Sequence, residues 1–314
     1  MNRSSFVLHR LGQLVVVVLG ITVLVFFMVH LTPGDPARIY LGDRANDTAV
    51  AALHHRWGLD RPLVAQYGLF MSRLFHGDLG TSLLYQSSTA ALIGGRLPTT
   101  LWLLTYSTVL SLLMAVPLAA LAATRKDSLR DHAVRLASVV SLGMPSFWVG
   151  IILILVLALR VHAFPVGGYG VGAAGHLRSM FLPSLTIAIA VAPLLMRSLR
   201  ASMLGVLDAD FIATARSKGI AGRRILVAHV LRNAILPTIT VLGVNISFLI
   251  GGTVVVEKVF ALPGLGDLML QAILARDFPV VQAVTLVFAV MVVLVNLSTD
   301  VLYSFLDPRV SFER

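Results

Sequence analysis

The amino-acid sequence predicts an all-α polytopic membrane protein with six transmembrane helices and both termini in the cytoplasm. Over 314 residues the chain is 57% hydrophobic and only 13% charged, whereas about 25% of the residues of a typical soluble domain are charged. A surface with so few charges is expected to face lipid rather than water. Cysteine is absent, which excludes disulfides, thiol catalysis and cysteine metal sites.

Six uncharged segments define the predicted spans. A helix needs roughly 20 residues to cross about 30 Å of hydrocarbon, and lipid offers no partners to unpaired backbone groups, so each segment is expected to be helical. The first is too long for a cleaved signal peptide and is predicted to be retained. The fourth is the shortest and contains Pro183 and Pro193. The predicted spans are residues 11–29, 97–123, 136–159, 179–196, 233–256 and 278–299.

The distribution of Lys and Arg predicts the orientation of these spans. With the N-terminus inside, the cytoplasmic segments contain 15 basic residues, and the external segments contain 10 basic and eight acidic residues. Because Lys and Arg favour the cytoplasmic side, we expect both termini there. The basic residues lie between apolar segments without an aromatic stacking platform, so a nucleic-acid partner is not indicated.

The longest external segment, residues 32–96, is predicted to form short amphipathic helices. Gly58 and Pro62 are expected to interrupt them. The segment is too small for an independent domain, and it is predicted to cap the outer ends of the spans.

Residues 205–232 form a basic cytoplasmic segment with more local structure than a connection needs. Asp208 and Asp210 are predicted N-caps of a short helix, and Gly219 follows Lys218 where a left-handed C′ residue is expected. A second basic helix then leads into the fifth span. The short helix has an apolar stripe comprising Phe211, Ile212 and Ala215.

Two interpretations of this segment remain open. In the first, its positive charges only fix the membrane topology. In the second, the caps, the glycine bend and the apolar stripe form a helix that docks into a groove of another protein.

The motifs of this chain resemble those of ATP-binding-cassette importer permeases of the dipeptide/oligopeptide/nickel branch. The stretch "FIATARSKG", residues 211–219, followed by "LRNAILP", is similar to the cytoplasmic "EAA" loop of that family. Ala213 departs from it, because the branch often has Arg and the wider family Glu at this position. The resemblance extends over nearly the whole chain through "TPGDPA", "GLDRPLVAQYG", "GDLGTS", "SLGMPSFW", "LRASMLGVL", "VEKVFALPGLGDLMLQAI", "RDFPVVQ" and "LDPR".

The resemblance implies a type I importer permease fold in a bacterial inner membrane. It divides the chain into a first helix with an external segment (1–95), a transmembrane domain (96–305) with a coupling loop (205–232), and a cytoplasmic tail (306–314). The implied partners are two ATP-binding-cassette subunits, a second homologous permease subunit in a heterodimer, an external substrate-binding protein and membrane lipid. The implied ATPase-docking residues are Asp210, Phe211, Ala213, Thr214, Ala215, Arg216, Lys218 and Gly219.

No nucleotide-hydrolysing site is predicted in this chain. A Walker A motif needs a Gly-Lys pair at the phosphates, and the three lysines follow Arg, Ser and Glu. ATP and Mg are therefore expected to be bound by partner subunits, with no cofactor or metal in this chain. Dipeptides or oligopeptides are the expected substrates, and nickel, nickel chelates and glutathione-like peptides are the alternatives.

An intramembrane aspartyl protease is the alternative of a different class. "GLGD", residues 264–267, fits its Gly-x-Gly-Asp pattern, but such an enzyme needs two carboxylates that share a proton at membrane depth. Asp267 is predicted to lie in an external glycine turn instead. Asp300 is expected to form a structural pair with an inside Arg, and the adjacent His54 and His55 are given no metal role because they point about 100° apart on a helix.

Polar and small residues within the spans are candidates for the translocation pathway. Small residues also let helices approach closely, so a packing role remains an equal alternative. The candidates are Asn245, Ser247 and Thr253 in the fifth span and Ser146 in the third.

Overall fold

A computed structural model describes residues 3–31, 34–42 and 45–306 of the chain. The described part is built from helices, with one isolated β-bridge between Thr81 and Ser88. The predicted cytoplasmic tail lies outside the described residues from position 307 onward. The helices are α1 (Arg3–Leu31), α2 (Pro36–Leu41), α3 (Asp47–Trp57), α4 (Leu63–Phe75), α5 (Thr89–Thr124), α6 (Leu129–Gly143), α7 (Ser146–Arg160), α8 (Gly172–Leu207), α9 (Asp210–Ser217), α10 (Gly222–Val259), α11 (Leu265–Leu274) and α12 (Phe278–Leu306).

Within the described residues, four helices are long and apolar enough to cross a membrane, namely α5, α8, α10 and α12. The pair α6 and α7 makes a fifth if it is counted as one broken span. The apolar part of α1, Gly12–Met28, is shorter than these. Its 17 residues span about 26 Å at 1.5 Å per residue, which is just under the hydrocarbon thickness. Six spans and the cytoplasmic location of both termini therefore remain predictions.

The third predicted span, residues 136–159, is not one continuous helix. The axes of α6 and α7 differ by 103°. Met144 is extended (φ −89°, ψ 124°), and Pro145 follows with φ −61°. A proline ring disfavours helical geometry in the residue before it, so the chain leaves the first helix at Gly143 and starts the next at Ser146. The fourth predicted span, residues 179–196, is instead part of a longer continuous helix. Helix α8 is 36 residues long and continues through both Pro183 and Pro193.

The chain divides into two compact units. The larger one, here called the α8 unit, comprises residues 99–262 and 294–306 of the described chain. Of the four membrane-length helices, α8 is the most buried, with 72% of its most apolar stretch of 18 residues inside the protein. Helices α6, α7 and α10 pack against α8. The largest fully buried side chains of this core include Leu103, Met180, Leu195, Leu199, Met203 and Phe260.

A buried ion pair joins α6 to α8 in the α8 unit. Asp131 is completely buried and accepts two hydrogen bonds from Arg200, from Nε at 2.8 Å and from Nη2 at 2.6 Å. Bidentate pairing of this kind fixes the geometry as well as the charge balance. The pair therefore sets the position of α6 along the C-terminal half of α8.

Small residues bring α10 close to α12 in the same unit. A Cβ on Gly243 would lie 2.3 Å from Oγ1 of Thr299, and the hydroxyl of Ser247 lies 3.2 Å from Oδ1 of Asn296. Glycine at such a contact lets two helix backbones approach, and the neighbouring polar groups bond across the interface.

The second unit, here called the α1 unit, comprises residues 2–98 and 263–293. Its core joins Ile93 of α5 to α11 and the first turns of α12. The segment predicted to be external contains helices interrupted where the sequence predicted, because α3 ends at the left-handed Gly58 (φ 75°) and α4 begins after Pro62. Helix α4 contacts α1, and none of the residues of α4 is buried.

The adjacent histidines of α3 bond two different carboxylates. Nε2 of His54 lies 2.8 Å from Asp35, and Nδ1 of His55 lies 2.9 Å from Asp60. The hydrogen bond from His55 holds the pKa of Asp60 below its usual value. Burial raises the pKa of Asp35, but the bonds from His54 and the Ala37 amide outweigh it and leave that pKa lowered. Each histidine thus stabilises local structure around α3.

Candidate functional site

Helix α9 lies in the short connection between the two long helices α8 and α10. Asp208 ends α8 as its C-cap, and Ala209 (φ −77°, ψ 144°) is the N-cap of α9. The prediction that Asp208 or Asp210 caps the helix through its side chain is wrong, because no side-chain bond caps α9 and Asp210 already belongs to its first turn. A carboxylate in the first turn still interacts favourably with the helix dipole.

The C-terminal end of α9 forms a Schellman motif around Gly219. This residue has φ +74°, and its amide donates to the carbonyl of Arg216 at 2.9 Å. The amide of Ile220 donates to the carbonyl of Ala215 at 3.2 Å. These are the two bonds of a Schellman ending with glycine at C′, so the predicted left-handed C′ position of Gly219 is confirmed. A Cβ on Gly219 would meet nothing within 4 Å, and only the backbone angle calls for glycine.

The predicted apolar stripe of α9 is divided between two faces. Ile212 is completely buried and Ala215 is 7% exposed, and both belong to the core of the α8 unit. Phe211 points away and is 48% exposed. The stripe therefore attaches α9 to its own chain, and Phe211 is the apolar side chain left on the outer face.

The outer face of α9 combines this aromatic ring with polar and basic side chains. Thr214 and Lys218 lie three and seven positions after Phe211, so all three share one face. Ala213, Arg216 and Ser217 are also exposed. Aromatic side chains such as Phe are enriched at protein interfaces relative to the rest of the surface, so Phe211 is the candidate contact of this face.

Rigid connections carry α9 on both sides. Two residues separate it from α8, and the buried Ile225 anchors the first turns of α10 in the same core. Residues Ile225–Leu231 of α10 are π-helical, a wide helical turn that is frequent at functional sites. Helix α9 is thus held between two membrane-length helices.

The four pathway candidates are placed individually rather than in one polar stripe. Along α10, Ser247 and Thr253 are rotated by about 200° and 80° from Asn245 at 100° per residue. Asn245 bonds the carbonyl of Val241 at 2.6 Å, and Ser247 bonds that of Gly243 at 3.0 Å. Thr253 is completely buried, and Ser146 is half-buried at the start of α7. Their role in a pathway stays a prediction.

Asp267 of the "GLGD" motif lies in the first turn of α11. Its Oδ2 accepts hydrogen bonds from Nη1 of Arg96 at 3.0 Å and from Nε2 of Gln271 at 2.5 Å. The charged partner of this carboxylate is the Arg96 guanidinium, whereas an aspartyl protease needs two carboxylates that share a proton. The surroundings of Asp267 therefore fit a structural ion pair of the α1 unit.

A buried ion pair and a buried glutamate were not identified from the sequence. The pair Asp131 and Arg200 is 69 residues apart in the chain, and no local pattern links them. Glu257 was assigned to an external segment, but it is completely buried near the end of α10 and accepts a hydrogen bond from Thr100 at 2.8 Å. One signal was available in the sequence. A charged residue at the edge of an apolar segment is costly to bury, so it is expected to have a polar or charged partner.

Comparison with known families identifies the chain. The family described as "Binding-protein-dependent transport system inner membrane component" matches residues 115–312, and its N-terminal companion family matches residues 3–104. The chain belongs to this family. It is a multi-pass inner-membrane component of a binding-protein-dependent transport system.

Curated relatives match the chain over nearly its whole length. A putative peptide transport system permease protein of Brucella abortus is 38% identical over 313 residues, which cover 99% of this chain and 100% of the relative. The oligopeptide transport system permease protein AppB of Bacillus subtilis is 37% identical, with 98% and 100% covered. The glutathione transport system permease protein GsiC of Salmonella choleraesuis is 36% identical, with 98% and 99% covered.

A solved structure shares the fold. A chain of the MetNI methionine ABC transporter, in an inward-facing conformation, superposes with a TM-score of 0.58 at 16% sequence identity. The match covers 69% of this chain and 96% of that chain. The common fold is therefore that of an ABC transporter membrane subunit.

Proposed function

We propose that this chain is the permease subunit that forms half of the translocation pathway of an ATP-driven importer of dipeptides or oligopeptides. The observation that carries the proposal is α9, a short helix fixed between two membrane-length helices with Phe211 on its outer face. Full-length relatives named as peptide, oligopeptide and glutathione permeases support the substrate class.

In this proposal α9 is the docking helix for an ATPase subunit. Phe211 enters an apolar groove of that subunit, and Thr214, Arg216 and Lys218 contact its polar rim. Ile212 and Ala215 hold the helix to the core of the α8 unit. Closure of an ATPase dimer then moves α9, and α8 and α10 tilt with it between outward-open and inward-open states.

The complete importer contains further subunits. Two ATP-binding-cassette subunits bind ATP and Mg, and a second homologous permease forms a heterodimer with this chain. An external binding protein delivers the substrate and makes most of the selection. Six spans with both termini in the cytoplasm place α9 on the ATPase side, which is the orientation that the basic residues favour.

The proposed domain boundaries are residues 1–95, 96–305 and 306–314. The transmembrane domain includes the pathway candidates Asn245, Ser247, Thr253 and Ser146. Of these, Asn245, Ser247 and Ser146 are only partly buried within the chain, whereas Thr253 is completely buried, so the first three are the better candidates for contact with substrate.

A growth comparison tests the substrate class. A deletion strain of the source bacterium is expected to lose growth on dipeptides as sole nitrogen source, to regain it with the plasmid-borne gene, and to keep its nickel-dependent enzyme activity. Unimpaired dipeptide growth together with lost nickel uptake would reverse the order of the two substrates. Loss of glutathione uptake alone would assign the chain to glutathione-like peptides.

A further inference from the structure

A cavity of about 390 Å³ lies within the α1 unit. It is lined by α1, α4, the segment before α5 and the first turns of α12. Its volume is within the range of small-molecule pockets, roughly 300–1,000 Å³. The proposed docking and pathway residues lie elsewhere, so the cavity needs a separate explanation.

The inner wall of the cavity is aromatic and aliphatic. Phe26 is 5% exposed, and its ring packs at 5.5 Å from Tyr67 and 6.0 Å from Phe70. Phe278 and Leu286 form the α12 side of the wall. Such a wall suits an apolar chain rather than an ion or a sugar.

Hydrogen bonds fix the part of the cavity wall where α1 and α4 meet. The amide nitrogen of Gln66 donates to the carbonyls of Leu59 at 3.1 Å and Arg61 at 2.8 Å. Its oxygen is therefore directed to Nε2 of His30 at 2.9 Å. The site is thus preformed, which lowers the entropic cost of binding a ligand.

The rim of the cavity contains one cationic and one anionic side chain. Arg73 lies in the last turn of α4, and the amide of Asp78 donates to the Arg73 carbonyl at 2.9 Å, so one tight turn holds both residues. Oδ1 of Asp78 accepts from the amide of Gly80 at 2.9 Å, which orients the carboxylate. Among the described side chains, neither Arg73 nor Asp78 forms an ion pair. Two opposite charges on one rim match a zwitterion.

The surroundings of the cavity favour lipid as the source of that zwitterion. On α1, the side chains next to the cavity residues Phe26 and His30 are apolar and exposed, with Phe27 at 40% and Leu31 at 79%. In an inner-membrane protein, such side chains face acyl chains. The cavity is therefore bordered by lipid-facing surface.

We propose that this cavity binds a zwitterionic phospholipid with a primary ammonium group. The aromatic wall contacts the part of an acyl chain nearest the headgroup. Arg73 binds the phosphate, and Asp78 accepts hydrogen bonds from the ammonium. The guanidinium suits phosphate oxygens, and an ammonium with N–H donors suits a carboxylate better than a quaternary ammonium does.

Native mass spectrometry of the purified full-length chain tests this proposal. Delipidated protein is mixed with phosphatidylethanolamine, phosphatidylcholine or phosphatidylglycerol, and the lipid-bound fraction is measured. We expect ethanolamine lipid to bind best. Arg73→Gln should lower its affinity about tenfold, because a hydrogen bond to a charged group is lost. Asp78→Asn should remove the preference over phosphatidylglycerol, since the headgroup ammonium loses its counter-charge.

Matched variants provide the controls. Arg38→Gln and Asp60→Asn remove the same charges in the α1 unit outside the cavity lining, and they should leave lipid binding unchanged. Equal binding of the three lipids by the wild-type chain would overturn the proposal, as would equal losses in Arg73→Gln and Arg38→Gln. Leu-Leu dipeptide has the same zwitterionic and apolar chemistry. If it raises the melting temperature of the delipidated wild-type chain but not of Arg73→Gln, and phosphatidylethanolamine raises neither, the cavity belongs to peptides and the lipid proposal fails.

Discussion

Gly219 shows how much one backbone angle determines at the residue scale. Its φ of +74° completes the two hydrogen bonds that end α9, and a side chain there would have open space around it. A left-handed conformation costs a non-glycine residue about 1–2 kcal/mol, and β-branched residues tolerate it least.

Gly219→Val is therefore expected to distort the end of α9 while the chain still inserts into the membrane. Transport should fall severalfold, and less ATPase should be recovered with the permease. Gly222→Val is the matched control, because Gly222 also has open space and has no positive φ. Full transport by Gly219→Val, at a normal membrane level, would show that the ending of α9 is not needed for coupling.

Ala215 and Ala213 separate the two faces of α9. Ala215 is buried in the core of the α8 unit, whereas Ala213 is exposed. An unpaired carboxylate in a buried site costs several kcal/mol, so we expect Ala215→Asp to lower the melting temperature of the purified chain and its level in the membrane. Ala213→Asp should leave both unchanged. Equal thermal stability of the two variants would contradict the assignment of the buried face.

At the scale of elements, the packing of α10 against α12 depends on a close contact that helix prediction does not reveal. A Cβ at Gly243 would overlap Thr299, whereas a Cβ at Gly251 on the same helix would meet nothing within 4 Å. Gly243→Leu is expected to destabilise the chain by about 1–3 kcal/mol through overpacking, and Gly251→Leu should have little effect. Thermal unfolding in detergent would distinguish them, and equal melting temperatures would contradict the close contact.

The ion pair between α6 and α8 is a second prediction at this scale. Arg200→Gln leaves the buried Asp131 carboxylate without its main partner, and breaking a buried pair typically costs about 3–5 kcal/mol. We expect a marked loss of folded protein from the membrane. The variant Asp131→Asn with Arg200→Gln, which removes both charges, should recover part of that loss. No recovery in the double variant would show that the two side chains act separately.

Local sequence patterns predicted the helices better than they predicted helix breaks and contacts. Composition and uncharged length were sufficient for α5, α10 and α12, because long apolar segments have few alternatives in lipid. They did not distinguish Pro145, which breaks a span, from Pro183, which a helix accommodates. That difference depends on neighbouring helices that satisfy the freed backbone groups.

The candidate site shows the same limit. The bend at Gly219 was predictable because glycine has a specific role at C′. The assignment of Ile212 inward and Phe211 outward was not, because both residues are apolar and adjacent, and only the packing of the α8 unit separates them. Asp131 and Arg200 are far apart in the chain, so no local sequence pattern predicts that they pair.

At the scale of the whole molecule, the proposed topology is open to direct labelling. The chain lacks cysteine, so each single-cysteine variant has one site for thiol labelling. We expect Arg216→Cys to react with membrane-impermeant maleimide only after the cytoplasmic side is exposed, and Asp47→Cys to react in intact spheroplasts. Labelling of residue 216 from the outside alone would invert the topology and remove α9 from the ATPase side.

The central claim, that α9 is the docking helix for an ATPase subunit, is tested most directly by co-purification with Phe211→Ala. Phe211 is exposed and contributes little to the core, so the variant should reach a normal membrane level. Truncation of an aromatic anchor typically costs 2 kcal/mol or more, and we therefore expect ATPase recovery to fall roughly tenfold or more. Leu129→Ala, at an exposed leucine in the first turn of α6, should retain it. Full ATPase recovery and full transport with Phe211→Ala would contradict the account.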